Sequence, residues 1–142
     1  MIKKARSVGG TSLLTRMLFW DISRNKELAN TDAIIITGNR LEMSIDIMRR
    51  LRNLVPPYVE IKPTRETIFE FNDCRVTCIP SHALSSLRGY ERISWIIADE
   101  ADYWSAAEGQ ALRAVVEPFK IKSDPICALY RLCGQCLVCF TR

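Results

Sequence analysis

In the segment Ile93-Ser-Trp-Ile-Ile-Ala-Asp-Glu-Ala-Asp-Tyr-Trp104, an apolar run ends in two adjacent acids, Asp99 and Glu100. A short apolar run between polar residues is typical of a strand that is buried on both faces of a parallel sheet. Open α/β sheets bind their ligands beyond the carboxyl ends of the strands. The sequence therefore predicts that Asp99 and Glu100 lie where the chemistry of such a fold takes place.

An apolar strand that ends in Asp-Glu also fits the Walker B element of a nucleotide-hydrolysing site. In that element Asp99 would help to hold Mg²⁺, and Glu100 would orient or deprotonate the attacking water. A core strand followed by a solvated acidic turn explains the same residues equally well, because short motifs often match by chance. A second phosphate-binding element elsewhere in the chain would favour the Walker B interpretation.

The second element is Lys4-Ala-Arg-Ser-Val-Gly-Gly-Thr11, a degenerate match to the Walker A pattern G-x-x-x-x-G-K-[ST]. Gly9 and Gly10 allow backbone N–H groups to approach an anion, and the helix N-terminus that follows favours negative charge. Thr11 offers a hydroxyl to Mg²⁺. Gly10 replaces the usual lysine, so Lys4 and Arg6 are the candidates for the missing cation. A Gly-Gly turn ahead of an amphipathic helix is the structural alternative.

Helices and apolar strands alternate between these two motifs. Leucine and isoleucine at four-residue spacing predict a helix over residues 11–24, and the apolar run at 33–37 predicts a second buried strand. A second helix is expected to open with a capping box formed by Asn39 and Glu42. Its predicted buried face consists of Leu41, Ile45, Met48, Leu51 and Val55.

The rest of the chain predicts a hairpin, a strand and a third helix. Residues 67–71 and 75–79 have the pattern of two strands around a tight Asn-Asp turn. A capping box at Ser105 opens the last helix, and Pro118 is expected to end it. This order predicts an α/β fold with a mainly parallel sheet flanked by helices, in which both phosphate-binding motifs lie along one edge.

The composition fits a single-domain protein that binds a phosphate-bearing partner. The chain has 142 residues, is 48% hydrophobic and carries a formal net charge of +4. Residues 1–65 contain twelve Lys/Arg against six Asp/Glu, whereas residues 66–142 contain eight against ten. A basic first half suits nucleotides or nucleic acids, although Arg49, Arg50 and Arg52 fit a solvated helix face better. We expect an intracellular protein with reduced thiols, no signal peptide and no membrane association.

The six cysteines are concentrated towards the end of the chain. We expect residues 1–124 to form the domain and residues 125–142 to be a divergent Cys-rich tail. Cys133, Cys136 and Cys139, with Cys127 upstream, have spacings that suit zinc or an iron–sulfur cluster. Zinc sites usually join two separated cysteine pairs, however, so packing as a strand or a loose tail is the favoured interpretation.

Most of the chain, residues 3–117, resembles the ATPase domain of large terminase subunits, the motors that package DNA into tailed-virus capsids. Some members of that family carry the basic residue at the front of a deviant Walker A loop, and Lys4 stands at this place. Four features occur in the family's order: Lys4–Thr11, the strand and turn Ile34–Arg40, the Arg-Gly loop Ser85–Gly89, and the strand Trp95–Asp102.

The resemblance implies a P-loop NTPase fold that hydrolyses ATP with Mg²⁺. It assigns roles residue by residue: nucleotide binding to Lys4, Arg6, Gly9, Gly10 and Thr11, Mg²⁺ to Thr11 and Asp99, and catalysis to Glu100. The implied partners are double-stranded DNA, the portal, the small terminase subunit and further copies of the chain, in the cytoplasm of a host cell. Only Met1–Lys3 precede the loop, and no Thr-Thr-Pro coupling motif or nuclease acid cluster follows, which implies an incomplete domain.

Two other interpretations stay open. Asp99–Asp102 spells a DEAD box and Pro63–Glu66 resembles a helicase motif. A DEAD-box helicase would carry Gly-Lys-Thr where this chain has Gly9-Gly-Thr11, and its second motif would open the second helix. The other interpretation is a catalytically inactive α/β module that binds nucleic acid or a protein partner. Measured nucleotide affinity separates this module from the two motor interpretations.

Overall fold

The computed structural model of the chain describes residues 9–59, 61–123, 125–129 and 137–139. Its α-helices in these ranges are α1 (Gly10–Arg24), α2 (Leu41–Arg52) and α3 (Ala106–Lys122). The strands are β1 (Asp32–Thr37), β2 (Lys62–Arg65), β3 (Ile68–Phe71), β4 (Cys74–Pro80), β5 (Ile93–Ala98), β6 (Ile126–Leu129) and β7 (Leu137–Cys139). Short 3-10 segments lie at Lys26–Leu28, Ser81–Gly89 and Ala101–Tyr103.

The strands form one seven-stranded sheet in the order β2-β3-β4-β1-β5-β6-β7. The four strands at its centre, β4, β1, β5 and β6, run parallel, and the outer strands are antiparallel to their neighbours. β3 and β4 form the predicted hairpin, in which Asn72 and Asp73 both take positive φ angles, as tight hairpin turns require. The predicted α/β fold class is therefore confirmed.

Strand β1 is buried on both faces, as its apolar sequence predicts. Ala33 and Ile35 belong to one core with side chains of α1 and α2, such as Leu18 and Met48. Ile34 and Ile36 belong to a second core on the opposite face, which contains Leu84 and Leu87 of the Ser81–Gly89 segment and Val115, Val116 and Phe119 of α3. The sheet is thus the middle of three layers, and α1 and α2 lie on the same side of it.

The predicted capping box of α2 is wrong, and its predicted buried face is confirmed only in part, at Met48, Leu51 and Val55. The residue that precedes the helix is Arg40, which has an extended backbone and no capping hydrogen bond from its side chain. Asn39 therefore stands one position too early to cap. Leu41 is 51% exposed, whereas Ser44 is buried and shares a hydrogen bond of 2.7 Å with Thr37 at the end of β1. A buried hydroxyl pair replaces part of the expected apolar face.

The predicted start of α3 is confirmed and its predicted end is wrong. The Ser105 hydroxyl accepts from the Glu108 N–H at 3.2 Å, and the Glu108 carboxylate accepts from the Ser105 N–H at 2.8 Å. The helix continues through Pro118 to Lys122. An interior proline costs about 3 kcal/mol, and burying Phe119 in the core offsets about 1.5–3 kcal/mol of this.

The sheet continues beyond residue 124. β6 pairs in parallel with β5 and places Ile126 opposite Trp95. Cys127 is partly buried and forms no disulfide within the described residues, whereas Cys133 and Cys136 lie outside them. No group of three or more potential metal ligands occurs in the described part of the chain, nor does any helix there have the length and apolarity to cross a membrane. The division of the chain at residue 124 stays a prediction.

Candidate functional site

The carboxyl edge of the parallel sheet brings two of the predicted site residues into contact. β1 and β5 are adjacent and parallel, so their carboxyl ends meet. Asp99 follows β5 directly, and its N–H donates to the Ile36 carbonyl of β1 at 2.8 Å. The Thr11 hydroxyl, at the start of α1, donates to the Asp99 carboxylate at 2.8 Å. Residues from the two motifs, 88 positions apart, thus lie side by side.

Gly9 and the first turn of α1 have the features that suit an anion. Gly9 has a φ of 75°, in the left-handed region that favours glycine, and no atom lies within 4 Å of the position of an added Cβ. α1 has no side-chain capping bond and no acidic residue in its first turn. The first N–H groups of a helix lack partners inside the helix and carry its positive end. A phosphate at this end would meet those N–H groups of Gly10 and Thr11.

A cavity of about 660 Å³ opens in front of these residues. Its lining residues come from the start of α1, the start of α2 and the end of β5: Thr11, Arg40, Glu42, Met43, Asp46, Ile47, Arg50, Asp99 and Glu100. Glu100 therefore faces the same space as Thr11 and Asp99. Its backbone takes a φ of 54°, and a non-glycine residue in this region costs about 1–3 kcal/mol and is typical of functional sites.

Asp99 is buried, with 4% of its surface exposed. A buried carboxylate requires compensating polar contacts, and the Thr11 hydroxyl supplies one of them. Hydroxyl and carboxylate oxygens are also the hard ligands that Mg²⁺ prefers. In nucleotide enzymes Mg²⁺ commonly takes one or two carboxylates and completes its shell with phosphate oxygens and water. The Thr11–Asp99 pair at the cavity wall therefore fits a magnesium ion bound together with a phosphate.

The cavity is also lined by two arginines, Arg40 and Arg50, that no sequence motif assigns to a site. Arg50 is exposed, as expected of a solvated face, and it also contacts Asp46 at 2.5 Å on the cavity side of α2. Arg49 also binds Asp46, and this hydrogen bond is the main reason why the pKa of Asp46 is lowered. Arg40 precedes α2 just beyond the carboxyl end of β1. The rule that ligands bind at this end of a parallel strand would have identified it.

The other predicted residues fall outside this arrangement. Lys4 and Arg6 lie outside the described residues, so their roles stay predictions. The segment that resembles a helicase motif contributes Pro63 to β2, which is the outermost strand of the sheet. Three strands, β3, β4 and β1, separate it from β5.

The central parallel sheet between two helical layers, the glycine turn that opens α1 and the acid at the tip of β5 define an α/β fold of the P-loop NTPase type. Within that class the fold resembles the ATPase domain of a large terminase. The large terminase ATPase domain of Thermus phage P74-26 matches with a TM-score of 0.64 and 13% identity. A mutant of the same domain matches with a TM-score of 0.63 and 12% identity.

The match spans 89% of this chain but only 56% of the solved phage domain. No family model matches the sequence, and no curated protein matches it either. At 12–13% identity the structural likeness establishes the fold alone. Any function of the chain has to be argued from the residues of the site.

Proposed function

We propose that the chain binds a nucleoside triphosphate with Mg²⁺ in this cavity and hydrolyses it, and that the nucleotide is ATP. The observation that carries the proposal is the 2.8 Å hydrogen bond between Thr11 and Asp99. It joins the glycine turn that suits a phosphate to the acid that suits a metal ion, at the ligand-binding edge of an α/β sheet. The degenerate Walker A sequence alone supports the proposal only weakly.

Each residue of the site takes a role that its chemistry allows. The backbone of Gly9 and Gly10 holds phosphate oxygens at the start of α1. Thr11 and Asp99 hold Mg²⁺, which neutralises charge on the phosphate oxygens when it is bound. Lys4 and Arg6 supply the positive charge that a lysine at position 10 would otherwise provide.

Glu100 is the proposed catalytic residue because its carboxylate faces the same cavity as Asp99. A water oxygen forms a bond to the γ-phosphorus while the bond from that phosphorus to the bridging oxygen breaks, and ADP leaves with the electron pair. The Glu100 carboxylate orients the water and accepts its proton, which then passes to the phosphate product.

We further propose that this ATPase drives DNA packaging, as the resemblance to large terminases implies. Its partners would then be double-stranded DNA, the portal, the small terminase subunit and other copies of the chain, in the cytoplasm of an infected host cell. The excess of basic residues in the first 65 positions supports a polyanionic partner. Asp99–Asp102 also spells a DEAD box, but Gly10 in place of the usual lysine and the position of Pro63 on the outermost strand disfavour a DEAD-box helicase.

Glu100→Gln tests the catalytic assignment, because glutamine keeps the size of the side chain and removes the base. We expect nearly unchanged ATP affinity and a turnover rate lower by about 10²–10⁴-fold. Glu91→Gln is the matched control, since Glu91 is exposed and lies before the amino end of β5. An equal loss of binding and turnover would assign Glu100 a structural or metal-binding role. A wild-type chain without nucleotide affinity would favour the inactive binding module.

The displaced cation needs a test of its own. We expect Lys4→Ala to lower ATP turnover more than Arg6→Ala, because Lys4 precedes the loop and its long side chain reaches back over the phosphates. Gly10→Lys, which restores the usual Walker A lysine, should partly rescue the Lys4→Ala variant. Phosphate release measures all three variants. Unchanged turnover in Lys4→Ala would remove this residue from the site.

A further inference from the structure

Arg40 is an exposed arginine that no motif assigns, yet it lines the cavity together with Thr11, Asp99 and Glu100. It follows β1 by three positions and immediately precedes α2. Its side chain makes no capping hydrogen bond to the helix. Among the described residues it takes part in no ion pair, unlike Arg49 and Arg50 on the same helix.

The charges of the cavity wall make this position important. Four carboxylates line it, those of Glu42, Asp46, Asp99 and Glu100, against the guanidinium groups of Arg40 and Arg50. Arg50 is engaged by Asp46 at 2.5 Å. A triphosphate is strongly anionic and needs fixed positive groups around it, and Gly10 provides none. Arg40 is thus the lining cation, within the described part of the chain, whose charge is not already paired.

The placement of Arg40 also suits a phosphate. β1 is the sheet neighbour of β5, so the residues that follow the two strands leave the sheet at the same edge. Arg40 stands at the N-terminus of α2, and the Gly9 turn stands at the N-terminus of α1. Both helix ends lie on the cavity wall and carry partial positive charge. An arginine presents several N–H donors in a planar fork that matches phosphate oxygens.

We propose that Arg40 binds the polyphosphate of the nucleotide and supplies part of the positive charge that the degenerate Walker A loop lacks. This inference rests on the proposed function, since it names a further phosphate-binding residue of the same site. It also adds a cation that follows β1, in addition to the Lys4 and Arg6 side chains proposed at the first loop. An arginine that binds the polyphosphate should contribute much more to the affinity for ATP than to the affinity for AMP, which has a single phosphate.

The test compares Arg40→Ala, Arg40→Lys and the control Arg92→Ala in the full 142-residue chain. Arg92 is exposed and lies before the amino end of β5, so its substitution removes the same charge from the opposite edge of the sheet. Affinity is measured by displacement of a fluorescent ATP analogue with ATP and with AMP, in the presence of Mg²⁺. Thermal unfolding of each variant confirms that its fold is intact.

We expect Arg40→Ala to weaken ATP binding about ten- to a hundredfold, as the loss of a charge-assisted contact does. AMP affinity should change less than about twofold, Arg40→Lys should recover part of the loss, and Arg92→Ala should bind as the wild type does. ATP binding by Arg40→Ala that equals the wild type, or equal losses for ATP and AMP, would overturn the Arg40 inference and leave the proposed function standing. A wild-type chain that binds no ATP would overturn both.

Discussion

An aspartate and a threonine lie at each end of the β1–β5 strand pair, but their surroundings differ. At the amino end, the Asp32 carboxylate accepts from the Arg75 guanidinium at 2.6 Å. The Thr31 hydroxyl there lies within hydrogen-bond distance of both the Leu28 carbonyl, at 2.7 Å, and the Ser94 hydroxyl, at 2.9 Å. At the carboxyl end, an aspartate and a threonine contact each other on the wall of a 660 Å³ cavity.

This difference shows how one sheet separates structure from chemistry. The polar side chains at the amino end are paired with one another, as in Arg75–Asp32 and Thr31–Ser94, and these pairs stabilise the sheet. At the carboxyl end the chain enters α1 and α2, whose N-termini bring unpaired N–H groups and positive potential to the cavity. A carboxylate placed there can act on a bound phosphate. A substitution at the carboxyl end should therefore lower ATP binding or turnover, whereas the matched substitution at the amino end should affect only the stability of the fold.

Among the matched pairs of substitutions at the two strand ends, Asp99→Asn should have the largest effect. The amide keeps the shape of the side chain but loses the charge that holds Mg²⁺, so we expect ATP turnover to fall by about 10²–10³-fold. Phosphate release measures the loss. Asp32→Asn is the control at the amino end, where it should leave turnover unchanged. Equal turnover of Asp99→Asn and the wild type would show that the carboxyl edge has no catalytic role.

Thr11→Val should have the next largest effect, because valine keeps the shape of threonine and removes the hydroxyl. We expect the affinity for ATP with Mg²⁺ to fall about tenfold or more, measured by calorimetric titration. Thr31→Val is the matched control. It should keep nucleotide affinity and lower the free energy of unfolding in urea by about 1–3 kcal/mol, since it leaves the buried partners of Thr31 without their bond. The reverse pattern would contradict the contrast between the two ends.

Arg75→Gln should have a small effect that falls on stability alone. The Arg75–Asp32 pair is partly exposed, so water and salt screen it. We expect a loss of about 0.5–1 kcal/mol in the free energy of unfolding, which shrinks as salt is added. Urea titrations at low and high salt measure this change. Altered ATP affinity in the variant would indicate that the amino end is coupled to the site.

The smallest effect should come from Glu108 and should fall on stability. Glu108 is a structural acid, in contrast to Glu100 at the carboxyl edge, for which we propose a catalytic role. Hydrogen bonds from Ser81, at 2.5 Å, and from Ser105 lower the pKa of Glu108 below its ordinary value of 4.5. A lowered pKa stabilises the fold above pH 4.5, and this contribution is lost as the pH falls through the folded value. Because Glu108 is largely hydrated, we expect the contribution to be only about 0.3 kcal/mol.

Thermal unfolding between about pH 5 and pH 3 measures this contribution. The melting temperature of the wild type should decline across this window more steeply than that of Ser81→Ala, which lacks the main donor to Glu108. Identical slopes in the two proteins would show that Glu108 is not stabilised in this way.

The sequence predicts the parts of this molecule that depend on local patterns. The apolar runs of β1 and β5 and the hairpin turn at Asn72 required no tertiary information. The rule on the carboxyl ends of parallel strands predicted that the segments containing Thr11 and Asp99 lie along one edge of the sheet. The structure brings these two residues together, whereas their roles in binding and catalysis stay predictions.

Features that depend on tertiary packing were not visible in the sequence. The buried hydrogen bond between Thr37 and Ser44 occupies part of the face of α2 that was expected to be apolar, and hydrophobic periodicity does not detect it. The position of Arg50 on the cavity wall likewise depends on the tertiary fold. Helix α3 continues beyond Pro118 and places Phe119 in the core, a tertiary contact that the local sequence does not reveal.

Calorimetric titration of the wild-type chain with ATP, first with Mg²⁺ and then with the metal chelated, tests whether the cavity is a nucleotide site. We expect saturable binding of one ATP per chain that weakens at least about tenfold without Mg²⁺, because Thr11 and Asp99 hold the ion against the phosphates. No binding in the presence of Mg²⁺, or binding of equal strength after chelation, would show that Thr11 and Asp99 do not form such a site.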